Sequence, residues 1–122
     1  MKRHIVCVLA LSGLLASSFA FAQSESVSGE VMEKCKLATK PQIPNGRTAT
    51  EEEMLGAQRA LKTYLAEGDE YMACLKQLEA GWGEGITEEQ KAVIVIFHNR
   101  TVDEMQSTAD LFNQSVRAFK GR

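Results

Sequence analysis

The sequence predicts an all-α fold: an antiparallel two-helix hairpin with an N-terminal short helix and an extended strap, tied by one disulfide. Three observations predict it. Apolar residues recur in steps of three and four along two long stretches, a glycine-rich segment separates those stretches, and an export signal leaves two of three cysteines in the remaining chain.

The export signal comes first along the 122-residue chain. Lys2, Arg3 and His4 form a basic start, Ile5 to Leu15 an apolar run, and Ala20-Phe21-Ala22 a small-x-small cleavage site, so residues 1–22 read as a signal peptide. The apolar run falls short of the about 20 residues that a bilayer span needs. Cys7 lies within it, lacks the small residues that precede a lipidated cysteine, and leaves with it. Cleavage after Ala22 predicts a periplasmic or secreted mature domain, 23–122. Within it, 23–49 read as an N-terminal arm and strap and 50–122 as the helical hairpin. Loss of Lys2 and Arg3 leaves 12 basic against 16 acidic groups, a net charge of −4 in place of −2. An acidic chain with no basic stripe argues against nucleic acid or anionic lipid as partner. No second apolar segment offers a stable membrane span.

The remaining cysteines are Cys35 and Cys74. In an oxidising compartment such a pair normally joins, which predicts a Cys35–Cys74 disulfide. A free buried thiol or an intermolecular bridge are the alternatives. Their wide separation excludes a C-x-x-C redox centre.

The first long helix opens at Thr50, which forms a capping box with Glu53, while Glu51, Glu52 and Glu53 place negative charge at the positive end of the helix dipole. Met54, Ala57, Leu61, Tyr64, Gly68, Tyr71, Leu75 and Leu78 then mark one face of a helix that runs to about Ala80 and is stopped by Gly81. Gly81-Trp82-Gly83-Glu84-Gly85 reads as a turn, because three glycines in five residues do not sustain helix. Thr87 with Gln90 repeats the capping box, and a second stripe follows at Val95, His98, Val102, Met105, Ala109, Phe112, Val116 and Phe119. Arg117, Lys120 and Arg122 complement its negative end. So short a connection demands an antiparallel pair with the spacing of a coiled coil. Folding about the glycine turn sets Leu65 opposite Val102, Lys62 near Met105 and Gly68 to Tyr71 near His98.

The strap follows from distance. Thr50 to Cys74 spans about 36 Å of helical rise, whereas the steps from Cys35 to Thr50 cover at most about 3.5 Å each. That connection must be nearly stretched out, as Pro41 and Pro44 favour. Lys36 to Arg47 therefore reads as a strap along the first long helix, with Leu37 and Ile43 covering apolar surface. A short helix around Ser28 to Cys35 precedes it, and Gln23 to Val27 read as disordered.

Six residues stand out as candidates for interaction. Trp82, at the expected tip, either anchors a partner or packs back over Ile86 and the end of the first helix. His98 comes within reach of Asp69 and Tyr71, which suggests a metal or pH-sensing role; the plainer reading is a seam histidine with a hydrogen-bond partner, since zinc takes three or four protein ligands. Ala92 to Phe97 is an apolar run in which Val93, Ile94, Ile96 and Phe97 exceed what a two-helix seam buries. Either the strap or a second copy covers it, or the run is a strand; the stripe continuing to Phe119 favours helix. Glu51 to Glu53, Glu88 and Glu89 each fall in a first helical turn with no nucleophile or base beside them, so the sequence presents no catalytic, metal or cofactor site. Asn99-Arg100-Thr101 and Asn113-Gln114-Ser115 match the glycosylation pattern but lie mid-helix.

Cys35, Pro41, Pro44-Asn45-Gly46, Glu53-Met54, Tyr64 and Tyr71-Met72-Ala73-Cys74-Leu75, with Asp103-Glu104-Met105-Gln106 and Phe112-Asn113 later, resemble short exported proteobacterial proteins of unassigned function. That resemblance implies export, one cysteine pair and a helical build. Ile86-Thr87-Glu88-Glu89-Gln90 is similar to the L-T-x-x-Q motif of small helical periplasmic stress chaperones and metal sensors of the Spy and CpxP kind, although the motif occurs once here and isoleucine replaces its leucine.

Together these readings predict a non-enzymatic exported protein that binds another envelope protein or self-associates. A hairpin with a strap buries little for its size, and pairing into a homodimeric four-helix bundle would complete it. A periplasmic stress chaperone or metal sensor is the alternative. An enzyme would need a convergent cleft that two parallel stripes do not suggest.

Overall fold

The structure, a computed structural model, describes the backbone of residues 19–122 and the side chains of residues 26–122. Residues 1–18 of the expected signal peptide lie outside the described residues. Three α-helices follow in order: α1 (Phe19–Lys34), α2 (Glu51–Trp82) and α3 (Glu88–Lys120), with a 3-10 turn at Gly83–Gly85 joining the last two. Among the described residues there is no strand, so Ala92 to Phe97 belong to a helix.

Both long helices begin at the capping boxes. The Thr50 hydroxyl accepts from the Glu53 amide at 3.1 Å while the Thr50 amide donates to the Glu53 carboxylate at 2.7 Å, and Thr87 with Gln90 repeats the pair at 3.1 and 2.8 Å. Beside the second box, a hydrogen bond from Lys91, and then its charge, holds the Glu88 carboxyl below the usual carboxylate range.

On α2 the buried face is Met54, Ala57, Leu61, Tyr64, Gly68, Tyr71 and Leu75, as the spacing predicts. The helix passes the expected stop at Gly81 and ends after Trp82, where Gly83 takes φ 67°. That left-handed backbone favours glycine, whereas Gly81 needs no such conformation. The two added residues and the 3-10 turn move the fold point, and the pairing slips by about two residues at Met54 and about six at Gly68. Gly68 consequently lies against Met105 rather than near His98, and Met54 Sδ lies 3.6 Å from the Ser115 hydroxyl.

α3 presents a different face from the one expected. Val93, Ile94, Thr101, Thr108 and Ser115 are its buried residues, whereas Val95 is 55% and Val102 38% exposed. Small hydroxyl residues can occupy a seam when their oxygens are satisfied. Thr101 and Thr108 donate to the carbonyls of Phe97 and Glu104 at 2.9 and 2.7 Å, and Ser115 donates to the Pro44 carbonyl.

The apolar core lies at the turn-proximal end. Val31 and Cys35 of the α1 segment pack with Tyr71, Leu75, Val93 and Ile94, and Val27, Cys74, Leu78, Trp82 and Phe97 close around them. Hence α1 covers Val93 and Ile94. The helix also contains Gln23 to Val27, expected to be disordered, and is longer than the short helix expected from Ser28. Its serines and Gly29 give little intrinsic helix preference. Packing of Val27, Val31 and Cys35, each four residues apart, supplies what propensity does not.

The predicted disulfide joins Cys35 to Cys74 with Cα atoms 5.7 Å apart. From it, residues 36–45 run without regular structure before a turn at Gly46 to Thr48. Lys36 to Ala38 share a surface hollow with Glu67, Glu70 and Tyr71 of α2, and Lys40 to Gly46 share another with Leu111, Gln114, Ser115 and Ala118 of α3. The strap thus crosses from α2 to α3 instead of following α2 alone. It ends where Gly46 presses on α3: a Cβ there would fall on the Ser115 carbonyl oxygen and within 2.9 Å of the Phe119 amide nitrogen. Arg122 stacks 4.2 Å from the centre of the Phe119 ring and donates to the Ala49 carbonyl at 2.7 Å, holding the loop from the other side.

Candidate interaction surface

The segment before the disulfide, the strap's first residues and the flanks of both long helices meet around a hollow of about 290 Å³. Cys35 lies in its wall, with Tyr71 and Phe97 beside it, and Met32 and Leu37 stand over it 66% and 58% exposed. Arg100 and Glu104 edge the hollow and pair at 3.0 Å. Burial pushes the Tyr71 phenol above its usual value, with the nearby Arg100 charge acting in the opposite direction. The phenol therefore stays neutral through the physiological range and can donate or accept a hydrogen bond. The lining combines apolar contact with a hydroxyl, a guanidinium and a carboxylate, which is a recognition chemistry.

The sequence-derived candidates separate in space. Phe97 is half-buried in the wall of the hollow, and Val93 and Ile94 are buried under α1. Ile96 is 63% exposed on the outer side of α3, near Asn99 and Asp103. Trp82 is the last residue of α2 and packs half-buried against the core. His98 is half-buried, and among the described residues no group of three or more His, Cys, Asp or Glu comes together to hold a metal. Thr87 and Gln90 of the Ile86-Thr87-Glu88-Glu89-Gln90 segment are both engaged in the α3 cap.

Sequence reasoning missed Met32 and Arg100, and it placed Leu37 in the strap as a cover for apolar surface where the residue is in fact exposed. A signal for two of them was present. Met32 and Leu37 stand three and two residues from Cys35, and Tyr71 stands three before Cys74, so the expected disulfide itself brings them together.

No protein-family model, curated protein or solved structure matches the chain.

Proposed function

We propose that this is an exported, non-enzymatic helical protein that works by binding another protein of the cell envelope, with the hollow beside the disulfide as its docking point. The observation that carries the reading is the pair of exposed apolar side chains, Met32 and Leu37, standing over a preformed hollow whose wall is braced by the Cys35–Cys74 bond. Such an arrangement suits insertion of an apolar side chain from a partner, since binding energy concentrates where an anchor fills a desolvated pocket. Arg100 and Glu104 at the edge would then pair with polar groups around that anchor. Export rests on the signature in residues 1–22. The disulfide agrees with it, as does the lack, among the described residues, of a helix long and apolar enough to cross a membrane.

A photo-crosslinking residue at position 32, introduced in the exporting cell, tests the reading. The expected result is one discrete adduct from the envelope fraction that disappears when Leu37→Glu is added, together with a mature N-terminus at Gln23. Adducts that Leu37→Glu leaves unchanged would exclude the hollow as the docking point.

A further inference from the structure

α1 and the strap cover one side of the α2–α3 layer, and the opposite side is open. On that side α3 carries Val95, Val102, Ala109 and Val116, seven residues apart, of which Val95 and Val102 are exposed and Ala109 and Val116 half-buried. Position on a 3.6-residue helix sets Asn99, Gln106 and Asn113 along the outer border of this row. Between Lys91 and Lys120, which close the flank at its two ends, the valine and alanine row itself holds no charge and its border carries Arg117 alone, whereas the covered and outward sides of the same helix hold Arg100, Asp103, Glu104 and Asp110. A helix flank of this length with solvent as its only neighbour normally carries charge. α2 contributes half-buried Leu65 and Met72 to the same open side.

We infer that this face is where two copies of the chain join, hairpin against hairpin, in a four-helix arrangement. The face is about 32 Å long from Val95 to Val116 and about 20 Å across two packed helices. Its burial would remove on the order of 600 Å² per copy, about 1,200 Å² in the pair, the size at which specific interfaces begin. The surface also complements itself. A two-fold axis lying in the interface, parallel to the helices, lays α2 of one copy over α3 of the other, so the larger Leu65 and Met72 meet the narrow Val and Ala row. In the same arrangement the charged border of α2, Lys62, Asp69 and Lys76, meets the neutral amides of the other copy's α3 rather than like charges. The hollow lies on the covered side and stays open in the pair, so this inference stands independently of the proposed docking there.

Sedimentation equilibrium on the disulfide-intact protein from an exporting host decides it. A dimer with a dissociation constant in the micromolar range is expected. Val102→Glu, and separately Val95→Glu, should weaken it at least about 100-fold, because each places two like charges in a closed interface. Helical circular dichroism should be unchanged, since both positions are solvent-accessible in the single chain. Ser107→Glu on the outward side and Met32→Glu at the hollow should leave the dimer intact. A wild-type protein that stays monomeric at about 0.5 mM overturns the inference. So does a dimer that both valine variants leave as tight as wild type, or one that only Met32→Glu disrupts.

Discussion

The two ends of the hairpin hold together by different means. At the turn-proximal end three helices bury Val31, Leu75, Val93 and Ile94, and a disulfide fixes the assembly. At the other end only two helices and a loop meet. Their contact sets buried Met54, Ala57, Leu61 and Tyr64 of α2 against Thr108, fully buried, and Ser115 of α3, with the strap fastened by Ser115 to the Pro44 carbonyl and by Arg122 to the Ala49 carbonyl. Hydrophobic burial scales with area removed from water, and the third helix adds to the area buried between α2 and α3 at one end only. Hydrogen bonds to backbone carbonyls locate the other end while contributing about 1 kcal/mol each. Local opening should therefore start at the ends of α2 and α3 farthest from the turn.

Removing the bond that favours the turn-proximal end tests this contrast most strongly. Reduction, or Cys35→Ser with Cys74→Ser, should lower unfolding free energy by about 4 kcal/mol, the chain-entropy value for a loop of this length. Urea titration with and without reductant measures it. A loss under about 1 kcal/mol would mean that the core alone secures α1.

Breaking the opposite end should cost less. Gly46→Ala drives a methyl group into the Ser115 carbonyl, and backbone gives way far less readily than the Met105 side chain facing Gly68. A loss of about 2 kcal/mol is expected. Hydrogen exchange should accelerate near Met54 and Ser115 and stay unchanged near Leu75 and Ile94. Faster exchange at both ends would show that the two act as one cooperative unit.

The smallest change sharpens the contrast from the other direction. At Gly29 nothing lies within 4 Å of an added Cβ, so Gly29→Ala should stabilise α1 by about 0.5 to 1 kcal/mol through helix propensity. The gain should appear in thermal unfolding of the oxidised protein.

How far the sequence discloses this fold depends on what fills each seam. The α2 stripe was legible because its buried positions are apolar or glycine at unbroken three- and four-residue steps, and the capping boxes were legible because they are local. The α3 seam was not. Val95 and Val102 outrank Thr101 and Thr108 in hydrophobicity, yet threonine hydroxyls that bond to the preceding turn enter the seam and the valines stay outside. The register was displaced because the choice between Gly81 and Gly83 as the stop depends on backbone conformation. The interaction surface was partly legible. Phe97 could be singled out within its apolar run, but Met32 and Leu37 acquire meaning only once the disulfide sets them against Tyr71.

The cross-strap sulfur bridge gives the chain a tolerance to cutting at its most accessible stretch. Lys36 and Lys40 are exposed in a segment without regular structure, where proteases act first. A scission after Lys36, whose neighbour is Leu37 where Lys40 is followed by trypsin-resistant Pro41, severs the peptide link between α1 and α2, but the Cys35–Cys74 bridge keeps both fragments in one covalent molecule. Trypsin-nicked protein should thus migrate as a single species until a thiol is added, with α1 still seated on its core.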